Sequence, residues 1–331
     1  MPKWARYWPL AGVLVFLMTL VHAQGAFAVG PFSHLRFAQE LWPQAAPLMG
    51  LDPKQTGLLP ALYAGALAPD APYYPGAEER LATLVHVVRP WDFCRALLEL
   101  ADTPQDKAFV LGWISHALLD ARTHDELVNR LAKGVYNDNR LLHKQIEWGL
   151  ECWLLVQPES AWLWEPPVDV RAGLDLWARA LKKVFGGTVP ISMLLMAQQA
   201  EMKEVARLPY VWWWSGRLER RGQSLVNTLG WVIGETLRPA YVAYLTWRDI
   251  DMNVRAVLDP RLPDPQDTRD LLSLMQVEKG RLLKILTGGA WPGGGLDADS
   301  SCADEECRDG REALQWLRSP GPKQASPDKI N

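Results

Sequence analysis

The stretch LGWISHALLDARTHDE, Leu111 to Glu126, constrains this chain more than any other. It has the apolar density of a buried helix, yet it carries His116, Asp120 and His124 at four-residue intervals. At roughly 100° per residue the three fall within about 80° of one another. They sit at the edge of the apolar stripe formed by Trp113, Ile114, Ala117 and Ala121. A carboxylate in that position is costly to bury unless something pairs with it, so the fold has to bring a partner to Asp120.

The rest of the chain reads as helix as well. Thr103-Pro104 is an N-cap followed by a first-turn proline, opening a helix to about Leu131. Asp138 is expected to cap a second helix, to about Val156. Asp264-Pro265 opens a third, with Leu271, Leu274, Met275, Leu282, Ile285 and Leu286 on one face. Segments 31–49, 55–68, 78–101, 169–186, 189–208 and 216–257 are mostly helical, punctuated by proline and glycine. Strand signals are sparse, so the expected fold is an all-α multi-helix bundle spanning residues 29–287. The glycine-rich, acidic segment 288–331 reads as a mostly disordered tail with a short helix around Leu314.

The first 28 residues have the form of a secretory signal. Lys3 and Arg6 precede an apolar run from Leu10 to Val21, and Ala26-Phe27-Ala28 is a small-x-small cleavage site. That run is about 12 residues long, short of the roughly 20 that a spanning helix needs. The expected mature chain is therefore secreted or periplasmic and begins at Val29. Cleavage takes two positive charges with it, moving the formal charge from −3 to −5, so the protein exerts no general pull on nucleic acid. Four cysteines do not make a disulfide framework. Cys94 and Cys152 lie in apolar helical stretches as buried thiols, whereas Cys302 and Cys307 lie in the polar tail and could pair.

Six histidines are present, and none follows His143. His22 leaves with the signal. His143 and Glu147 stand one turn apart in LLHKQIEWGLE, an i, i+4 pair able to chelate one ion. Asp70 follows a proline in GALAPDAPYY, His86 lies in the apolar LVHVVRPWDF, and His34 closes VGPFSH. After cleavage Val29 would add a free amine and its own carbonyl, which together can chelate.

In this order the residues resemble the zinc-dependent phospholipases C of bacteria and the related single-strand-specific nucleases. That pattern runs from a mature N-terminal residue through His, Asp, His, HxxxD and His to HxxxE. It is filled here by Val29, His34, Asp70, His86, His116-x3-Asp120, His124 and His143-x3-Glu147. The resemblance covers about residues 29–150 and implies an all-α fold of the phospholipase C type holding three zinc ions. Asp70, His86, His116 and Asp120 would hold the first; His124, His143 and Glu147 the second. His34, the Val29 amine and carbonyl, and a shared oxygen of Asp120 would hold the third. Asp120 would then be buried because it bridges two cations. Two departures stand out: Val29 replaces the usual tryptophan, and His124 follows His116 by eight residues where the family usually has ten.

The expected activity is phosphodiester hydrolysis of phospholipids by a metal-activated hydroxide, with Asp70 orienting the attacking water. The nearest alternative is a nuclease-like phosphodiesterase, against which stands the lack of an arginine-rich, aromatic-interleaved groove. An HD-type phosphohydrolase, prompted by His124-Asp125, leaves His34 and Glu147 unexplained. A non-catalytic secreted metal-binding protein on the same fold stays open, and no protein partner is indicated. YVWWWSGRLERR raises a peripheral membrane contact through Trp212 to Trp214 with Arg217, Arg220 and Arg221; ordinary packing at a helix corner is the competing reading.

Overall fold

The computed structural model describes residues 30–74, 76–134, 139–214, 218, 252–293 and 308–319. The signal segment, Val29, Asp138, Arg217, Arg220, Arg221, Cys302 and Cys307 lie outside the described residues. The helices are α1 (Pro31–Leu48), α2 (Leu59–Leu67), α3 (Glu79–Thr83), α4 (Pro90–Leu100), α5 (Pro104–Thr123), α6 (Asn129–Ala132), α7 (Arg140–Leu155), α8 (Leu174–Phe185), α9 (Ile191–Val205), α10 (Leu208–Trp214), α11 (Met252–Leu258), α12 (Pro265–Leu286) and α13 (Arg308–Arg318). Two π segments, Leu84–Val88 and His124–Val128, continue α3 and α5. Among the described residues there is no strand, as the all-α reading expects.

Helix α5 is the central post, packed against α1, α2, α4 and α12. Its start is closed by a capping box: the Asp106 N–H donates to Thr103 Oγ1 at 3.0 Å, and the Thr103 N–H to Asp106 Oδ2 at 3.2 Å. Asp264 and Asp267 build the same device at the start of α12. The cap of α7 differs from the sequence reading. Asn139, one residue after Asp138, accepts from the Leu142 N–H at 3.2 Å.

Helices α2 and α5 touch backbone to backbone through two glycines. A Cβ on Gly112 would lie 2.0 Å from the Leu62 carbonyl oxygen, and one on Gly65 would lie 1.9 Å from that of Phe109. No side-chain rotation relieves an overlap with backbone. Alanine gains about 1 kcal/mol over glycine in helix propensity, whereas overpacking costs up to about 3 kcal/mol, occasionally more. Gly112→Ala is therefore expected to destabilise the fold by roughly 2 kcal/mol in urea unfolding. An unchanged midpoint would mean that α2 can back away from α5.

Two expectations change on the outer surface. Trp212 and Trp213 belong to the core, at 0% and 9% exposure. The Trp212 ring packs on Phe32 and Trp148, and its Nε1 donates to the Val257 carbonyl at 2.9 Å. These two rings are packed in the core, in line with the reading as ordinary helix-corner packing. The helix expected around Leu314 is α13, and it is docked, burying Ala313, Leu314 and Leu317 against α3, the first π segment and α8. Part of the 288–331 segment thus joins the folded body. Cys94 and Cys152 are buried free thiols, as read from the sequence. No helix of the described residues is long and apolar enough to cross a membrane.

Candidate metal centre

Six elements deliver the singled-out residues to one place. Helix α1 carries His34, the turn after α2 carries Asp70, the first π segment carries His86, and α5 carries His116 and Asp120. His124 opens the second π segment, and α7 carries His143 and Glu147. All eight are buried, none more than 4% exposed. π turns recur at functional sites because they re-aim a side chain within a helix; here both carry a histidine of the cluster.

The eight fall into three groups, in each of which the donor atoms lie within 4.8 Å of one another: Asp70–His86–His116, His34–His116–Asp120 and His124–His143–Glu147. The short His116-to-His124 spacing does not keep His124 from its group. Its Nε2 lies 3.8 Å from Glu147 Oε1, and its ring centroid 5.1 Å from that of His143. Two residues stand between groups among the described residues. His116 belongs to two of these groups, and its ring stacks on His34 at 3.7 Å. Asp120 Oδ1 instead lies between His34 Nε2 at 3.9 Å and His124 Nε2 at 3.8 Å. The cause is local: Asp120 is one helical turn from each of His116 and His124.

Hydrogen bonds fix which imidazole nitrogens face the centre. His116 Nδ1 lies 2.8 Å from the Ala66 carbonyl and His86 Nδ1 lies 3.0 Å from that of Ala82. The Ala66 carbonyl belongs to the last turn of α2, where intrahelical donors run out. A carbonyl can only accept, so each Nδ1 carries the proton and each Nε2 presents a lone pair. Yet Asp70 Oδ1, itself a lone-pair atom, lies 3.1 Å from His86 Nε2 and 3.7 Å from His116 Nε2. His116 Nε2 and both Glu147 oxygens have no hydrogen-bond partner. Lone pairs converging in a buried site call for a cation between them, and a His ring held by a carbonyl at its far nitrogen is the usual outer support of a metal ligand.

Electrostatics point the same way. Burial, then the neighbouring His34, hold His116 well below the ordinary imidazole range, so the ring is neutral. Burial pushes Asp70 up, but the facing His116 and His86 outweigh it and hold the carboxyl below its usual range. A carboxylate and neutral imidazoles are a donor set suited to zinc.

Residues 33–184 match the zinc-dependent phospholipase C family. Over that stretch the chain is similar to the family, which supports the resemblance read from the sequence. The stretch takes in the eight described residues of the cluster, and the family's zinc dependence agrees with their donor chemistry. Comparison with curated proteins and with solved structures gave no match.

Three buried polar residues beside the centre were not singled out from the sequence. Glu201 and Gln198, 1% and 2% exposed on α9, have no hydrogen-bond partner among the described residues for either terminal atom. Burial, then the charge of Asp70, raise the Glu201 carboxyl well above its ordinary range. Their i, i+3 spacing inside ISMLLMAQQAEMKEV was the available signal. The third, Glu151, follows Glu147 by one turn, inside a motif already read for its metal chemistry.

Proposed function

We propose that the protein is a secreted zinc-dependent phosphodiesterase of the phospholipase C type, acting on phospholipids. The observation that carries this reading is the convergence of Nε2 lone pairs and carboxylate oxygens in three contiguous buried groups, within a segment matching that family. Three ions would be held. Asp70, His86 and His116 would hold one, and His124, His143 and Glu147 another. His34 and Asp120 would hold the third, with His116 at its edge. The signal would be cut after Ala28, so that the Val29 amine and carbonyl join His34.

Zinc, when bound, supplies Lewis acidity that brings the pKa of water toward 7 and offsets charge on a phosphoryl group. The chain supplies the rest. Asp70 orients an attacking water, its Oδ1 set beside the Nε2 atoms of His86 and His116. The carbonyls of Ala66 and Ala82 lock the two rings beside it, so the site is set before substrate arrives. Burial of all eight side chains excludes bulk water.

The test compares hydrolysis of short-chain phosphatidylcholine with that of single-stranded DNA by zinc-loaded protein. Release of phosphorylated headgroup with no nucleotide release is expected. Preferential DNA cleavage would move the assignment to the nuclease branch. Retained zinc with neither activity would favour a non-catalytic metal-binding protein.

A further inference from the structure

Helix α7 carries a stripe of three polar residues at four-residue intervals, His143, Glu147 and Glu151. The first two face the candidate metal centre. Glu151, with no exposed surface, faces the start of α1 instead. Its Oε2 accepts from the Phe32 N–H at 2.6 Å, and the Ser33 N–H reaches Oε1 and Oε2 at 3.2 and 3.3 Å. The Ser33 hydroxyl donates to Oε1 as well.

These donors are the ones a helix leaves unmet in its first turn. Gly30, the N-cap of α1, has no side chain to serve them. They are met by a carboxylate more than a hundred residues away in sequence, in charge-assisted hydrogen bonds at the positive end of the helix. The clamp also closes on the backbone: a Cβ on Gly30 would lie 2.6 Å from Glu151 Cγ. Ser33 is the residue before His34, so fixing its N–H and hydroxyl fixes the stem from which the His34 ring projects toward Asp120.

We propose that Glu151 is a positioning residue of the metal centre, holding His34 in register with the His143–Glu147 pair of the same helix. This rests on the reading that the His34–His116–Asp120 group holds an ion. It gives that ion a determinant that does not touch it, and it makes one helix the reference for two groups of ligands.

The experiment is a metal titration of the full-length secreted protein with zinc by native mass spectrometry and with cobalt(II) by visible absorption. Wild type, Glu151→Gln, His34→Ala and the double variant are compared. Glu151→Gln turns donors toward donors, and is expected to weaken one ion about tenfold or more, the range typical for outer support of a ligand, leaving the others in place. The double variant is expected to lose nothing beyond His34→Ala alone, because both act on one ion. Ser33→Ala, which removes only the hydroxyl contact, should weaken the same ion more mildly. Unchanged affinity in both Glu151→Gln and Ser33→Ala overturns the proposal. So does equal weakening of every ion, or an additive loss in the double variant. If Glu151→Gln does not fold, Ser33→Ala decides. A wild-type protein that binds no ion overturns the underlying metal reading as well, which separates that failure from failure of the clamp alone.

Discussion

Replacing Asp120 by asparagine is expected to lower kcat/KM on phosphatidylcholine by roughly 10³-fold or more, about 4 kcal/mol of lost transition-state stabilisation. Asp120 is fully buried, and its Oδ1 lies between the Nε2 atoms of His34 and His124. Asparagine keeps the volume and removes the charge, so a packing defect cannot account for the loss. It also swaps an acceptor oxygen for a donor in a site where imidazole lone pairs converge. The same variant should hold fewer ions, because one carboxylate adjoins two groups. Steady-state kinetics and metal content on one preparation check both effects. Activity within tenfold of wild type would show that Asp120 stands outside the chemistry.

The second large effect concerns stability. Removing metal with a strong chelator is expected to lower the unfolding temperature by roughly 10 °C for each ion lost. A ligand bound only by the folded state adds about 4 kcal/mol when present at a thousand times its Kd, and in a domain of this size 1 kcal/mol moves the midpoint by about 2–4 °C. The sign follows from the site. Without a cation, Asp70, Asp120 and Glu147 remain buried beside histidine rings, and carboxylates are costly to bury. Because the ligands must be deprotonated to bind, the metal-dependent part of the stability should shrink as the pH falls. Calorimetry with and without chelator at two pH values measures this. A midpoint indifferent to chelation would remove metal from the account of the fold.

The ligand series was legible because it is local. HxxxD and HxxxE state their geometry in the spacing, and five histidines in half a chain are hard to place otherwise. The helix starts at Pro104 and Pro265 were equally plain, since a capping box is written in four consecutive residues. What escaped depended on distant partners. Gly65 and Gly112 lie inside the two stretches that hold Asp70 and His116, yet nothing in either says that one glycine needs the other to let the Ala66 carbonyl reach His116. Glu151 carries no signal of its own beyond its place one turn after Glu147, and only its contact with Phe32 and Ser33 gives it a role. Trp212 was ambiguous between lipid and core for the same reason: its neighbours Phe32 and Trp148 come from other parts of the chain. The π turn at His124 has no sequence signature, although it follows the eight-residue spacing that marks this chain off from the family pattern.

The docking of α13 has a consequence for how the protein comes to be folded. This helix is made after every element that carries a residue of the cluster, and it covers α3 and the segment carrying His86, which precede it by more than half the sequence. Arg80 stacks on Trp316 at 4.6 Å, Arg318 Nε donates to the Phe185 carbonyl at 2.9 Å, and the Gly187 backbone meets that of Leu317 too closely for any Cβ. Contacts of such sequence separation form late, after the entropy of closing a long loop has been met. A nascent chain emerging in order therefore holds the histidines of α5 and α7 well before the wall behind His86 is complete. Metal uptake in full should wait on a segment that, among the described residues, contributes no ligand and that lies outside the matched stretch of the family.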